Sequence, residues 1–130
     1  MVDMEFVIPW IQKAENDISS AQYLANNMRP SPSEVICFHC QQAAEKYLKA
    51  FIVYNDLEPP RTHDLIELVK LCSNYNEDFS ILMQKCEFLI PFAIRTRYPS
   101  ASDPNDEETK RALIYAKDII DFIKAKIPLS

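Results

Sequence analysis

The chain contains no glycine in 130 residues, and this absence constrains its fold more than any other feature. The phosphate-binding loops of P-loop and dinucleotide-binding proteins need glycine where the backbone turns tightly, and so does the nucleophile elbow of hydrolases. The tight turns of β-hairpins depend on glycine as well. The sequence therefore excludes these glycine-based sites and argues against a β-rich fold.

Proline and small polar residues interrupt the chain at 29–33, 56–62, 73–78 and 98–106, and helical periodicity fills the stretches between them. This pattern predicts five helices, at about 5–28, 33–55, 63–72, from 77 onward with a kink or break at Pro91, and at about 105–127. We predict an all-α fold, an up-and-down bundle of four to five antiparallel helices that forms one domain over residues 1–130.

The ends of three helices can be predicted from local residue types. Asn26 or Asn27 could end the first helix in the left-handed conformation, because glycine is not available. Ser31 or Ser33 could cap the second helix, and Thr62 could cap the third.

The formal net charge is −5 and four cysteines are present. A general electrostatic grip on nucleic acid is not expected, although a local basic site remains open. The cysteines fall in apolar helical stretches, where they act as small hydrophobic residues, so we predict neither disulfides nor a metal site, and no cofactor. No apolar run could cross a membrane and the N-terminus does not resemble a signal peptide, so we expect a cytoplasmic protein without membrane contact.

Polar residues of the second predicted helix share one side of a helical wheel. The opposite side is apolar and predicts the core face, which consists of Cys37, Cys40, Ala44, Leu48, Phe51 and Ile52. The polar arc consists of His39, Gln42, Glu45, Lys46 and Lys49, with Val35, Phe38 and Val53 among them. These apolar residues indicate a partly covered surface, such as a groove or a subunit contact. An ordinary exposed face is the alternative, since Glu45 and Lys49 form an i,i+4 pair that is common on any helix.

Basic and aromatic residues cluster at two predicted helix ends. Arg61 and His63 lie at the start of the third helix, and Arg95, Arg97 and Tyr98 lie at the end of the fourth. If neighbouring helices bring these ends to the polar arc, they form a small cationic pocket suited to phosphate or a nucleotide. Alternatively, the two arginines pair with the acidic run at 103–108, and His63 only bonds its own loop.

Four stretches of the chain resemble the HEPN family, the helical domain found in higher eukaryotes and prokaryotes. They are the first-helix pattern from Trp10 to Asp17, the segment FHCQQAAEKYLKA, the segment EPPRTHDLIEL, and IRTRYP before the last helix. The resemblance implies a helical bundle that forms a homodimer. It also implies a separately encoded minimal nucleotidyltransferase as partner, in a system like those of toxins and antitoxins.

Many HEPN proteins are metal-independent ribonucleases whose signature is an arginine followed, after four to six residues, by a histidine. Here no histidine follows Arg95 or Arg97 at that distance. The resemblance therefore assigns no catalytic residues, and three hypotheses follow. The first is a module that binds a nucleotide or RNA phosphate, the second is a ribonuclease that uses Arg97, Tyr98 and His63, and the third is a purely structural partner.

Overall fold

A computed structural model describes residues 3–95 and 102–128, and of Arg95 it describes the backbone only. The α-helices are α1 (Ile8–Asn27), α2 (Ser33–Tyr54), α3 (Leu65–Ser73), α4 (Met83–Leu89), α5 (Phe92–Arg95) and α6 (Asp106–Lys124). Short 3-10 helices span Met4–Phe6 and Glu77–Leu82. The described residues contain no strand, so the all-α prediction is confirmed. The described residues form six α-helices rather than the five predicted, because the fourth predicted helix divides into α4 and α5 around Pro91.

The helix α2 is the centre of the bundle, because α1, α3, α4, α5 and α6 all contact it. All six residues of the predicted core face are buried, and Tyr47 and Phe79 are among the largest side chains with no exposed surface. The four cysteines are buried, as their apolar helical stretches predict, and no disulfide joins them. A helix covered on most of its sides must satisfy its polar residues inside the protein, and this requirement shapes the site described below.

The predicted helix caps are wrong at all three positions. Met28 ends α1 in an extended conformation, and Pro32 precedes α2 without a side-chain cap. Asp64 caps α3 by accepting a hydrogen bond from the amide of Ile66. Thr62 lies two residues earlier, where its hydroxyl accepts from the amide of Asp64. The loop after α2 is thus longer than predicted.

Asp56, the second residue of this loop, has a φ of 63°, a left-handed conformation that aspartate tolerates better than most residues. The chain then runs back along α2, so that the carbonyl of His63 comes within 3.4 Å of Gln41 Nε2. This return path brings the α2–α3 loop, residues 55–64, over the middle of α2.

Both flanks of the segment 96–101 lie beside α2. On one side α5 packs against α2. On the other side Asp103 lies next to Glu34 in the first turn of α2, and the hydrogen bond and charge of Asp103 raise the pKa of Glu34. Within the described part of the chain, no helix is both long enough and apolar enough to span a membrane.

Candidate functional site

The first part of the site is a carboxylate of α1 that holds a histidine and a lysine of α2. Asp17 Oδ1 lies 2.9 Å from His39 Nδ1, and Asp17 Oδ2 accepts a hydrogen bond from Lys46 Nζ. The Asp17 side chain is 12% exposed, whereas His39 and Lys46 are about a quarter exposed. Asp17 therefore anchors two polar groups that reach the surface.

The second part of the site is a buried carboxylate of α2, Glu45, with three partners. Lys49 Nζ lies 3.1 Å from Oε2, and His63 Nδ1 lies 2.9 Å from Oε1. Gln41 Nε2 lies 3.4 Å from the same Oε1. The side chains of Glu45 and Lys49 are only 5% and 8% exposed. A charged pair buried to this extent is held in place by its mutual partners, since neither charge is well hydrated.

His63 differs from its partners because its side chain is 63% exposed. The carboxylate of Glu45 already binds the ammonium of Lys49, so it acts as an acceptor toward His63 and fixes the imidazole proton on Nδ1. The other nitrogen, Nε2, has no partner among the described residues. The geometry therefore presents an oriented imidazole whose free nitrogen can accept or donate a proton.

Of two further predicted residues, Gln42 joins one of these clusters and Arg61 lies in the α2–α3 loop, two residues before His63. Gln42 Nε2 donates a 2.7 Å hydrogen bond to Gln41 Oε1, which connects it to the Glu45 cluster. Arg61 is exposed and forms no ion pair with a described carboxylate. Asp17 pairs with Lys46 and Glu45 pairs with Lys49, so each of these two pairs is neutral, and Arg61 adds one cation, unpaired among the described residues, in the loop that carries His63.

The structure thus brings six predicted site residues onto one side of α2, namely His39, Gln42, Glu45, Lys46, Lys49 and His63. The alternative of an ordinary exposed face fails for Glu45 and Lys49, which are buried. Arg97 and Tyr98 lie outside the described residues, as does the side chain of Arg95. Their approach to α2, and their pairing with the acidic run at 103–108, stay predictions.

The prediction gave no role to Asp17 and Gln41, although each is central to one cluster. Asp17 carries a charge within the apolar stripe of α1, between the buried Ala14 and Ala21. Gln41 has no exposed surface and borders the core face of α2. A polar residue on a buried stripe needs an internal partner, and this is the sequence signal that could have identified both.

No group of three metal-binding side chains occurs in the part of the chain that the structure describes. Burial raises the pKa of Cys72 and of Cys86 to about 12, and burial also raises the pKa of Cys40. These residues are therefore neutral thiols, which are poor nucleophiles and poor metal ligands.

Comparisons with known proteins agree with this architecture. The model of the HEPN domain matches residues 8–126. The crystal structure of ST0689, an archaeal HEPN homologue, is 25% identical, with a TM-score of 0.68 over 92% of this chain and 96% of that one. The crystal structure of TT1696 from Thermus thermophilus is also 25% identical, with a TM-score of 0.73 over 93% and 98% of the two chains. None of the curated proteins searched matches significantly. Because the domain model covers nearly the whole chain, this protein belongs to the HEPN domain family.

Proposed function

We propose that the protein is a HEPN module that binds the phosphate of a nucleotide or RNA on the polar side of α2. The observation that carries this proposal is the cluster of oriented donors around two buried carboxylates. His39 and Lys46 reach the surface from Asp17, and His63 reaches it from Glu45. Arg61 adds a cation that pairs with no described carboxylate. Fixed donors of this kind suit a phosphate, because little side-chain freedom is lost on binding.

Calorimetric titration with ATP, and separately with a short single-stranded RNA, tests this proposal. Removing the charges of Arg61 and Lys46, in the variant Arg61→Gln/Lys46→Gln, should weaken binding of the preferred ligand at least about tenfold, the equivalent of about 1.4 kcal/mol. The matched control is Lys70→Gln/Lys110→Gln, which removes two exposed lysines, of α3 and α6, outside the site. Absence of binding by the natural protein, or equal affinity of the site variant, would refute the proposed site.

The family resemblance supports two partners in this proposal. We propose that the protein acts with a separately encoded minimal nucleotidyltransferase in a system like those of toxins and antitoxins, and that it forms a homodimer in the cytoplasm. Val35 is 37% exposed on the polar side of α2, and Phe38 and Val53 are partly exposed there. These apolar side chains are suited to a subunit contact. Co-purification with a nucleotidyltransferase encoded beside it tests the first partner, and light scattering at micromolar concentration tests the dimer.

A ribonuclease that uses His63 is the second candidate, and the contact between Glu45 and His63 favours it. A carboxylate that fixes the Nδ1 proton and leaves Nε2 free is the arrangement that general acid–base catalysis needs. RNA incubated with the protein in a chelator should then yield cyclic-phosphate ends. His63→Ala should abolish this product, whereas Lys70→Gln, which changes an exposed residue of α3 outside the site, should leave it unchanged. No cleavage by the natural protein over a broad pH range would reject this candidate.

A further inference from the structure

An open groove of about 350 Å³ lies between the N-terminal residues and the beginning of the α2–α3 loop. Apolar side chains form most of its walls, including Phe6, Trp10, Leu57 and Pro59. Phe6 is 60% exposed. A groove of this volume with an exposed aromatic wall is typical of an interaction surface.

The polar part of the groove is acidic. Asp56 and Glu58 line it and are exposed, and neither pairs with a cation among the described residues. No basic residue lines the groove within the part of the chain that the structure describes. The groove therefore differs from the polar side of α2, where Asp17 and Glu45 are each paired with a lysine.

This charge decides between the classes of occupant. A nucleotide or RNA is repelled by two unpaired carboxylates. A cationic segment is attracted, and the aromatic walls add cation–π and apolar contacts.

We propose that the groove docks a basic peptide segment of a partner protein, with an apolar side chain beside Phe6 and Trp10 and with lysine or arginine at Asp56 and Glu58. The proposal does not depend on phosphate binding, because it uses different residues of the opposite charge. Val53 of α2 also lines the groove, and Trp10 neighbours Lys49, but no member of the Asp17 and Glu45 clusters lines it. A docked protein therefore leaves His39, Lys46 and His63 outside the contact.

Trp10 makes the docking directly measurable, because it is the only tryptophan of the chain. The probe is a twelve-residue peptide of leucine and lysine, and its matched control carries glutamate in place of each lysine. The basic peptide should change the Trp10 fluorescence saturably, and its affinity should fall as salt screens the charges. The acidic peptide should give no saturable change.

The variant Asp56→Asn/Glu58→Gln removes both negative charges of the groove. It leaves Trp10 unchanged, because the Trp10 ring also contacts Lys49, whose Nζ lies 5.9 Å from the ring centre. Asparagine tolerates the positive φ of Asp56, so the loop should keep its path. Affinity for the basic peptide should fall about three- to tenfold. The control Glu87→Gln/Glu107→Gln removes the same charge from exposed positions outside the groove and should bind as the natural protein does.

Three results would overturn the proposal. The first is the absence of a saturable response to the basic peptide. The second is equal affinity of the groove variant and its control. The third is a Trp10 response that follows protein concentration without any peptide, since this would identify a second copy of the chain as the occupant. Titration with ATP or RNA is read separately, so failure of the phosphate site leaves this test intact.

Discussion

Removing the charge of Glu45 should destabilise the protein far more than removing the charge of an exposed acidic residue. In Glu45→Gln the ammonium of Lys49 stays buried, since its side chain is only 8% exposed, but its carboxylate partner at 3.1 Å is gone. Breaking one side of a buried ion pair costs about 3–5 kcal/mol of the free energy of unfolding. A urea m-value of about 1–3 kcal/mol per molar converts this cost into a lower unfolding midpoint, by at least about 1 M. Urea denaturation followed by circular dichroism measures that midpoint.

The matched control is the exposed pair of Lys117 and Asp121 on α6, which has the same i,i+4 spacing but leaves both side chains 57% exposed. Asp121→Asn should change the free energy of unfolding by no more than about 0.5 kcal/mol. The double variant Glu45→Gln/Lys49→Met should be more stable than Glu45→Gln, because no unpaired ammonium stays buried. Two results would contradict this reasoning. One is that Glu45→Gln lowers the free energy of unfolding no more than Asp121→Asn does, and the other is that adding Lys49→Met to Glu45→Gln does not restore part of that free energy.

Three other measurements test the core around this site. Tyr47→Phe should cost about 1.5 kcal/mol, because the buried hydroxyl donates to the carboxylate of Glu15. Burial acts to raise the pKa of Glu15, but the hydrogen bonds from Lys124 and Tyr47 outweigh it and hold that pKa below the usual value. Because the pKa of Glu15 is lower in the folded protein, this carboxyl stabilises the fold above about pH 4.3, the pKa of glutamate in the unfolded chain. That stability is lost as the pH falls through the folded pKa. Tyr47→Phe removes one of the hydrogen bonds that lower this pKa, so the variant should lose less stability in acid than the natural protein. Phe79→Ala should cost about 3–5 kcal/mol in a urea melt, because Phe79 has no exposed surface and leaves a cavity. Ellman's reagent should label the four buried cysteines only after denaturant unfolds the protein, and rapid labelling in buffer would contradict their burial.

The directions of the α2 side chains could be predicted from the sequence, because a single helix fixes the angle of each residue around its axis. That geometry is sufficient for the core face from Cys37 to Ile52 and for the common side of His39, Lys46 and Lys49. The division of the fourth predicted helix at Pro91 follows in the same way from a residue that cannot continue a helix.

The depth of the polar side chains could not be predicted, because it depends on which other segment covers them. The sequence predicted Thr62 as the cap of α3, whereas Asp64 caps it, and this difference of two residues decides where the α2–α3 loop ends. With Asp64 as the cap, His63 stays in the loop and reaches Glu45, which becomes buried between α2 and that loop.

One contact therefore links the fold of this protein to its proposed chemistry. Glu45 holds Lys49 inside the bundle through one oxygen and orients His63 at the surface through the other. A substitution at Glu45 changes stability and the orientation of the imidazole together, so it cannot separate a structural role from a functional one. His63→Ala and His39→Ala can separate the two roles. Each variant removes an exposed or partly exposed ring and leaves the buried ion pair of Glu45 and Lys49 in place. Loss of phosphate binding or of RNA cleavage in His63→Ala at unchanged stability would therefore assign the function to the surface imidazole rather than to the integrity of the core.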